Sequence, residues 1–130
     1  VNVPGALFHI GDGHAAQGDG EVCGVATEIP TRGTFTFDLI KANPIGTPRI
    51  ESDEFIMAVG SARPMEDAAR IAFYELILWL EQDFGIDRMT GYQLCSQVAR
   101  VRLANMVDIL YSVVAKFPKK FLPQHHDSCL

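Results

Sequence analysis

The chain has 130 residues, of which 48% are hydrophobic and 21% are charged, and its formal net charge is −5 at pH 7. This length fits one domain of about 100 to 150 residues with enough chain to bury a core. The acidic balance argues against a nucleic-acid partner, and no apolar run reaches the roughly 18 residues of a membrane span. We therefore expect a cytoplasmic protein with no nucleic acid and no membrane among its partners. The cysteines, Cys23, Cys95 and Cys129, are odd in number, which argues against a disulfide framework.

The first predicted element is a hairpin in a glycine-rich segment, ALFHIGDGHAAQGDGEVCGVATEI, which spans residues 6–29. This segment carries four ionisable side chains in close succession: Asp12, His14, Asp19 and Glu21. A loop at residues 15–18 pairs His14 with Asp19 and places Asp12 opposite Glu21. Directly opposed residues project from the same face of a sheet. This register predicts one cluster of the four groups above an apolar floor of Phe8, Ile10, Cys23 and Val25.

Three carboxylates and an imidazole are costly to desolvate together unless hydrogen bonds or a cation neutralise them. Imidazole combined with carboxylate oxygens suits zinc, with iron or manganese as alternatives, whereas an all-oxygen set favours calcium or magnesium. The spacing matches neither the EF-hand loop nor the phosphate-binding loop. The segment therefore predicts a divalent metal site. The alternative is a tight hairpin whose Asp residues cap turns and whose His is solvated.

Cys23 offers a different chemistry at the same site. A thiolate nucleophile needs a neighbouring base or positive charge, and Glu21 or His14 is the nearest base in this register. A cysteine in a strand more commonly packs as a small apolar residue. We therefore predict a packing role for Cys23.

The next elements follow from alternation of polar and apolar residues. Period two predicts strands at residues 34–39 and 54–59. Proline and glycine between them predict a loop over residues 43–49.

The period then becomes helical. An apolar stripe predicts a helix over residues 66–84, and Gly85 is well suited to the left-handed conformation that ends many helices. Thr90 and Gln93 fit a capping box at the start of a second helix that ends near Val98.

Alternation returns at residues 100–103 and 111–117, which predicts two further strands. Strands, then two helices, then strands indicate an α+β fold in which helices cover part of a largely antiparallel sheet. We expect a single domain over residues 1–130 with a helical insertion at about residues 66–98.

The motif GDGHAAQGDGEVCG resembles the signature of the acetamidase/formamidase family. The later stretches LEQDFGIDRMTGYQLCSQVARVRLANMVD and VVAKFPKKFLP extend the resemblance to that family's C-terminal portion over nearly the whole chain. Some members have Asp where Arg100 stands, and a Pro-Asn pair commonly follows the residue that aligns with Asp108, where Ile109 and Leu110 stand here. The resemblance implies a β-sandwich-like core with a helical insertion.

The resemblance also implies hydrolysis of short aliphatic amides, formamide or acetamide, to carboxylate and ammonia. Asp12 and His14 are then expected to hold a divalent metal, preferably zinc, with calcium or another ion as an alternative. Glu21 is the expected general base and then acid. Asp19 is expected to orient His14 or to complete the coordination shell. Which carboxylate binds the metal and which transfers protons stays open at this point.

Family members are substantially longer, so the resemblance implies that an N-terminal portion with its own Asn and Asp site residues has no counterpart here. We expect a fragment or a processed chain that forms a homo-oligomer or binds a companion chain carrying that portion. The alternative function is a non-catalytic or incomplete metal-binding β-domain with a cupin-like binding or assembly role. His125, His126, Asp127 and Cys129 form a weaker candidate chelator, because terminal residues are usually mobile.

Overall fold

The computed structural model describes residues 3–123. Its strands are β1 (Arg49–Glu51), β2 (Phe55–Ala62), β3 (Arg100–Asn105) and β4 (Tyr111–Pro118), and its helices are α1 (Met65–Phe84) and α2 (Arg88–Val98). Two 3-10 turns are formed by Asp19–Glu21 and Lys119–Phe121. The strands form an antiparallel sheet in the order β1-β2-β4-β3. The predicted α+β fold with a helical insertion is therefore confirmed.

The core lies between α1 and one face of the sheet. Ile56 and Ala58 are fully buried on β2, and their partners on β4, Phe117 and Ala115, are fully buried beside them. Gly60 continues this face and allows close approach, because a Cβ there would lie 2.0 Å from the Ala68 carbonyl oxygen of α1. The buried core cluster comprises Ile56, Ala58, Ala72, Leu76, Trp79, Leu80, Cys95, Ala115 and Phe117.

The ends of the helices have distinct causes. Gly85 ends α1 with φ of 65°, as predicted, and its N–H donates to the carbonyl of Leu80. The predicted capping box at Thr90 and Gln93 is wrong, because α2 begins earlier, at Arg88. The Asp87 side chain accepts hydrogen bonds from the backbone N–H groups of Met89 and Thr90. A carboxylate at this position satisfies two N–H groups that otherwise lack partners in the helix.

Residues 34–39 do not form the predicted strand. Their alternation is real, but an isolated extended segment needs a hydrogen-bonded neighbour to become part of a sheet. Phe35 and Phe37 instead contact Phe8, with ring centroids 5.6 and 4.8 Å apart. Large apolar side chains remain exposed along this part of the chain: Val3, Leu7, Phe8, Ile10, Val22, Val25, Ile29, Phe35, Phe37, Leu39, Ile40 and Ile45.

The glycine-rich segment contacts the side of the sheet that α1 leaves uncovered. Met57 and Lys116 pair across β2 and β4 and alternate with the core residues. They line, together with residues 17–19, a cleft of about 430 Å³. Among the described residues, no helix is both long and apolar enough to cross a membrane. The predicted tail chelator at residues 125–129 lies outside the described part of the chain.

Candidate metal centre

The hairpin of the glycine-rich segment is wider than predicted. The Ala15 N–H donates to Thr27 O at 2.9 Å, and the Ile29 N–H donates to Gly13 O at 3.0 Å. His14 therefore lies opposite Glu28, and the predicted pairing of His14 with Asp19 is wrong.

Residues 17–26 form a long excursion between the two arms of this hairpin. The 3-10 turn within it packs beside β3, where the Met106 N–H donates to Gly20 O at 3.0 Å. Gly20 adopts φ of 82°, and a Cβ there would lie 3.0 Å from Met106 Sδ. Contact with a distant strand, rather than early closure by local turn residues, therefore sets the register.

The predicted apolar floor does not form. Phe8, Ile10 and Val25 are each more than half exposed. Cys23 is also exposed, and its Sγ donates to Val25 O at 3.3 Å. The packing role predicted for Cys23 is therefore wrong, because an exposed side chain is not part of the core.

The structure brings Asp12 and His14 together and adds Glu28 to them. His14 Nε2 lies 3.2 Å from Asp12 Oδ1 and 3.0 Å from Glu28 Oε2. One ligand atom from each of the three residues lies within 4.8 Å of the others. The His14 side chain is only 14% exposed, whereas Asp12 is 80% exposed. The donor set, one imidazole nitrogen and two carboxylate oxygens, is one that zinc and related divalent ions accept.

The other ring nitrogen of His14 has a different neighbour. Nδ1 lies 2.8 Å from Gln17 Oε1, and Gln17 Nε2 donates to Ala104 O at 2.9 Å. The hydrogen bond with Gln17, followed by the carboxylates of Glu28 and Asp12, raises the pKa of His14 above 6.5, although partial burial opposes this rise. The ring is thus surrounded by groups that favour a positive charge at this point.

Glu21 and Asp19 take separate positions. Glu21 Oε1 lies 4.0 Å from His14 Nδ1, and Glu21 Oε2 accepts from Asn105 Nδ2 at 3.1 Å. The Glu21 side chain is 13% exposed. Asp19 forms an ion pair with Arg102 of β3 and is largely exposed. The side chain at hydrogen-bond distance from His14 Nδ1 is that of Gln17.

The family of the chain follows from a match over nearly its whole sequence. The model of the Acetamidase/Formamidase family matches residues 1–122 of the chain. The chain belongs to this family.

Solved structures agree with this assignment. An acetamidase from Yersinia enterocolitica is 48% identical with a TM-score of 0.76, and the match covers 85% of this chain and 34% of that one. An acetamidase from Bacillus halodurans is 20% identical with a TM-score of 0.70, and the match covers 83% of this chain and 37% of that one. At this lower identity the likeness shows the fold alone. The chain thus spans about a third of the length of these structures, and no curated protein matches it.

Three residues of the acetamidase/formamidase chain became visible as site residues only in the structure. Glu28 lies in an apolar, strand-like stretch and has no motif around it. Gln17 lies within the family signature, and its place there is the sequence feature that indicates a site residue. Asn105 contacts Glu21 across 84 residues of sequence, and no local pattern predicts that contact.

Proposed function

We propose that this chain carries a metal-assisted amidase site that hydrolyses short aliphatic amides, such as formamide and acetamide, to carboxylate and ammonia. The observation that carries the proposal is the position of His14 Nε2 between the carboxylates of Asp12 and Glu28, within the family signature. Membership of the acetamidase/formamidase family supports the amide substrate.

The three residues fit a zinc ion. Zinc ligands lie about 2.0 to 2.2 Å from the metal in a tetrahedral arrangement, so neighbouring ligand atoms are about 3.3 Å apart. The observed separations of Nε2 from the Asp12 and Glu28 oxygens, 3.2 and 3.0 Å, are close to this value. Two carboxylates also balance the charge of a divalent cation. Zinc is therefore our first choice, with calcium or another divalent ion as the alternative.

Asp12, His14 and Glu28 would hold a zinc ion here, and the ion would supply a water molecule of lowered pKa and a Lewis acid for the amide carbonyl. Glu21 is the group that we assign to proton transfer. Glu21 lies on the Nδ1 side of the ring, so it does not compete with Asp12 and Glu28 as a ligand, and its place in the family signature supports this role.

Proton transfer by Glu21 requires a fixed carboxylate. Asn105 Nδ2 donates to Glu21 Oε2, while Asn105 Oδ1 accepts from the N–H groups of Val107 and Asp108. These bonds hold one carboxylate oxygen and leave Oε1 to take a proton from the attacking water and return it to the departing ammonia. The role first predicted for Asp19, as a ligand or as the group that orients His14, stays a prediction. Its ion pair with Arg102 favours anchoring of the 3-10 turn on β3 instead.

We also propose that the working form contains a further polypeptide, either another copy of this chain or a companion chain. The many exposed large apolar side chains of residues 3–45 support this, because exposed apolar surface beyond scattered single residues usually marks an interface. The other candidate function is an incomplete or non-catalytic metal-binding domain. The high exposure of Asp12 favours this alternative, since water reaches this carboxylate in the isolated chain.

The test is ammonia release from formamide and acetamide, with the bound zinc measured on the same samples. Turnover that rises with zinc content supports the amidase, and zinc binding without turnover supports the binding domain. We expect Glu21→Gln to abolish turnover and keep the zinc, and Glu28→Gln to lower both. Glu66→Gln, at an exposed position in the first turn of α1, is the matched control. Unchanged turnover in Glu21→Gln would exclude Glu21 as the proton-transfer group.

A further inference from the structure

The Gln17 side chain bridges two distant parts of the protein. Its Oε1 lies 2.8 Å from His14 Nδ1, and its Nε2 lies 2.9 Å from Ala104 O, which is 87 residues away in sequence. Ala104 stands at an irregularity of β3, where the pairing with β4 shifts between Leu103 and Asn105. An extra residue at such a shift leaves its backbone groups without partners in the ladder. The Ala104 carbonyl is therefore available to Gln17.

The Ala104 carbonyl determines the orientation of the Gln17 amide. A carbonyl oxygen only accepts hydrogen bonds, so the NH2 group of Gln17 faces it, and the amide oxygen faces His14. That amide oxygen also only accepts, so the proton between Gln17 and His14 belongs to Nδ1. A neutral imidazole carries one N–H, and its other nitrogen then has a free lone pair. In the neutral ring of His14, that nitrogen is Nε2.

Nε2 lies close to two further acceptors, of which Asp12 Oδ1 has hydrogen-bond geometry. Asp12 Oδ1 and Glu28 Oε2 lie 3.2 and 3.0 Å from Nε2. The three acceptor atoms lie within 4.8 Å of one another and have no proton to share when the ring is neutral. A cation bound by all three would neutralise the two carboxylates and use the Nε2 lone pair.

We propose that Gln17 is a positioning residue that holds His14 in the Nδ1–H tautomer and so presents Nε2 to the metal. The inference rests on the proposed metal site and adds to it the ligand atom and the residue that selects this atom. Gln17 Oε1 also accepts the hydrogen bond of Nδ1, while Asn105 binds Glu21, whose Oε1 lies 4.0 Å from the same atom. Gln17 thereby leaves Glu21 free for proton transfer.

The test compares Gln17→Met, which keeps the length and loses both hydrogen bonds, with Gln97→Met at an exposed position on α2. Long-range ¹⁵N–¹H spectra of the metal-free protein at about pH 9 report which ring nitrogen carries the proton, and His14→Asn assigns the signals. The parent and Gln97→Met are expected to show the Nδ1–H form. Gln17→Met is expected to lose this preference and to bind zinc about 10- to 100-fold more weakly, as is usual when a hydrogen-bond partner of a metal ligand is removed.

Gln17→Glu provides the rescue, because its carboxylate still accepts the Nδ1–H although it cannot donate to Ala104 O. We expect this variant to regain the Nδ1–H form. A parent His14 with its proton on Nε2 overturns the inference, whether or not Gln17→Met folds. Equal tautomer ratios and zinc affinities in the parent and Gln17→Met also overturn it. Absence of amide turnover, with the tautomer and zinc results as expected, defeats the proposed hydrolysis and leaves the role of Gln17 standing.

Discussion

Replacement of Gly60 by Ala tests the closest contact between the helix and the sheet. A Cβ at this position would lie 2.0 Å from Ala68 O and 2.7 Å from Ala72 N, whereas ordinary contacts of a Cβ begin at 3.4 Å. Both neighbours are backbone atoms of α1, so no side-chain rotation relieves the overlap. The helix must move away from β2 by more than an ångström, which loosens the buried contacts around Ile56 and Leu76. Overpacking of a core costs about 1 to 3 kcal/mol and occasionally more, and we expect Gly60→Ala to lie at about 3 kcal/mol or above.

Gly91→Ala is the matched control, because it adds the same methyl group elsewhere. Its Cβ would meet Leu80 Cδ1 at 3.6 Å, an ordinary contact, within helix α2. Alanine stabilises a helix interior relative to glycine by about 0.5 to 1 kcal/mol, so the two variants are expected to change stability in opposite directions. The free energy of unfolding is measured by urea titration, followed by circular dichroism. A Gly60→Ala protein within about 0.5 kcal/mol of the parent would refute the close packing of α1 on β2.

Three further predictions follow from buried or hydrogen-bonded groups. Glu75 is 3% exposed and lies 2.8 Å from Arg49 Nε, so Glu75→Ala is expected to lower the unfolding free energy by about 3 to 5 kcal/mol in urea titrations. The change leaves the buried Arg49 guanidinium without its carboxylate and with the neutral Gln82 amide as a hydrogen-bond partner. Hydrogen bonds from the side chain and backbone of Thr90 lower the pKa of Asp87 below 3.8. The Asp87 carboxylate therefore stabilises the folded protein fully above pH 3.8, and this contribution is lost as the pH falls through the lower pKa of the folded state. Asp87→Ala is expected to be less stable than the parent near neutral pH, by a margin that shrinks in acid. Burial raises the pKa of the Cys95 thiol to about 11, so iodoacetamide at pH 8 is expected to label it only after unfolding, as read by peptide mass spectrometry.

Each of these predictions has an outcome that would contradict it. A Glu75→Ala protein as stable as the parent would mean that the ion pair with Arg49 contributes nothing. A stability difference for Asp87→Ala that persists unchanged well below pH 3.8 would mean that its charge does not stabilise α2. Rapid labelling of Cys95 under native conditions would contradict its burial in the core.

The sequence predicted the sheet and the helices well wherever the pattern depends on local geometry. The helical stripe of α1, its end at Gly85 and the alternation of β2 and β4 follow from the 3.6- and 2-residue periods of the backbone. Side chains two residues apart share a face of an extended chain, which is why Asp12 and His14 were predicted to lie together. They do lie together, although Asp12 adopts φ of 58° and is not extended. The family signature was likewise readable without a structure, because it is contiguous.

Tertiary structure decided which distant groups complete the site. Residues 34–39 alternate like a strand, yet no neighbouring strand accepts their backbone hydrogen bonds in the described part of the chain. Glu28 reaches His14 because residues 17–26 leave the hairpin to contact β3, and a register that skips ten residues has no signal in local spacing. Gln17 finds its partner at Ala104, 87 residues away. Local periodicity follows from the geometry of the chain, whereas the choice among distant hydrogen-bond partners depends on how the whole chain packs.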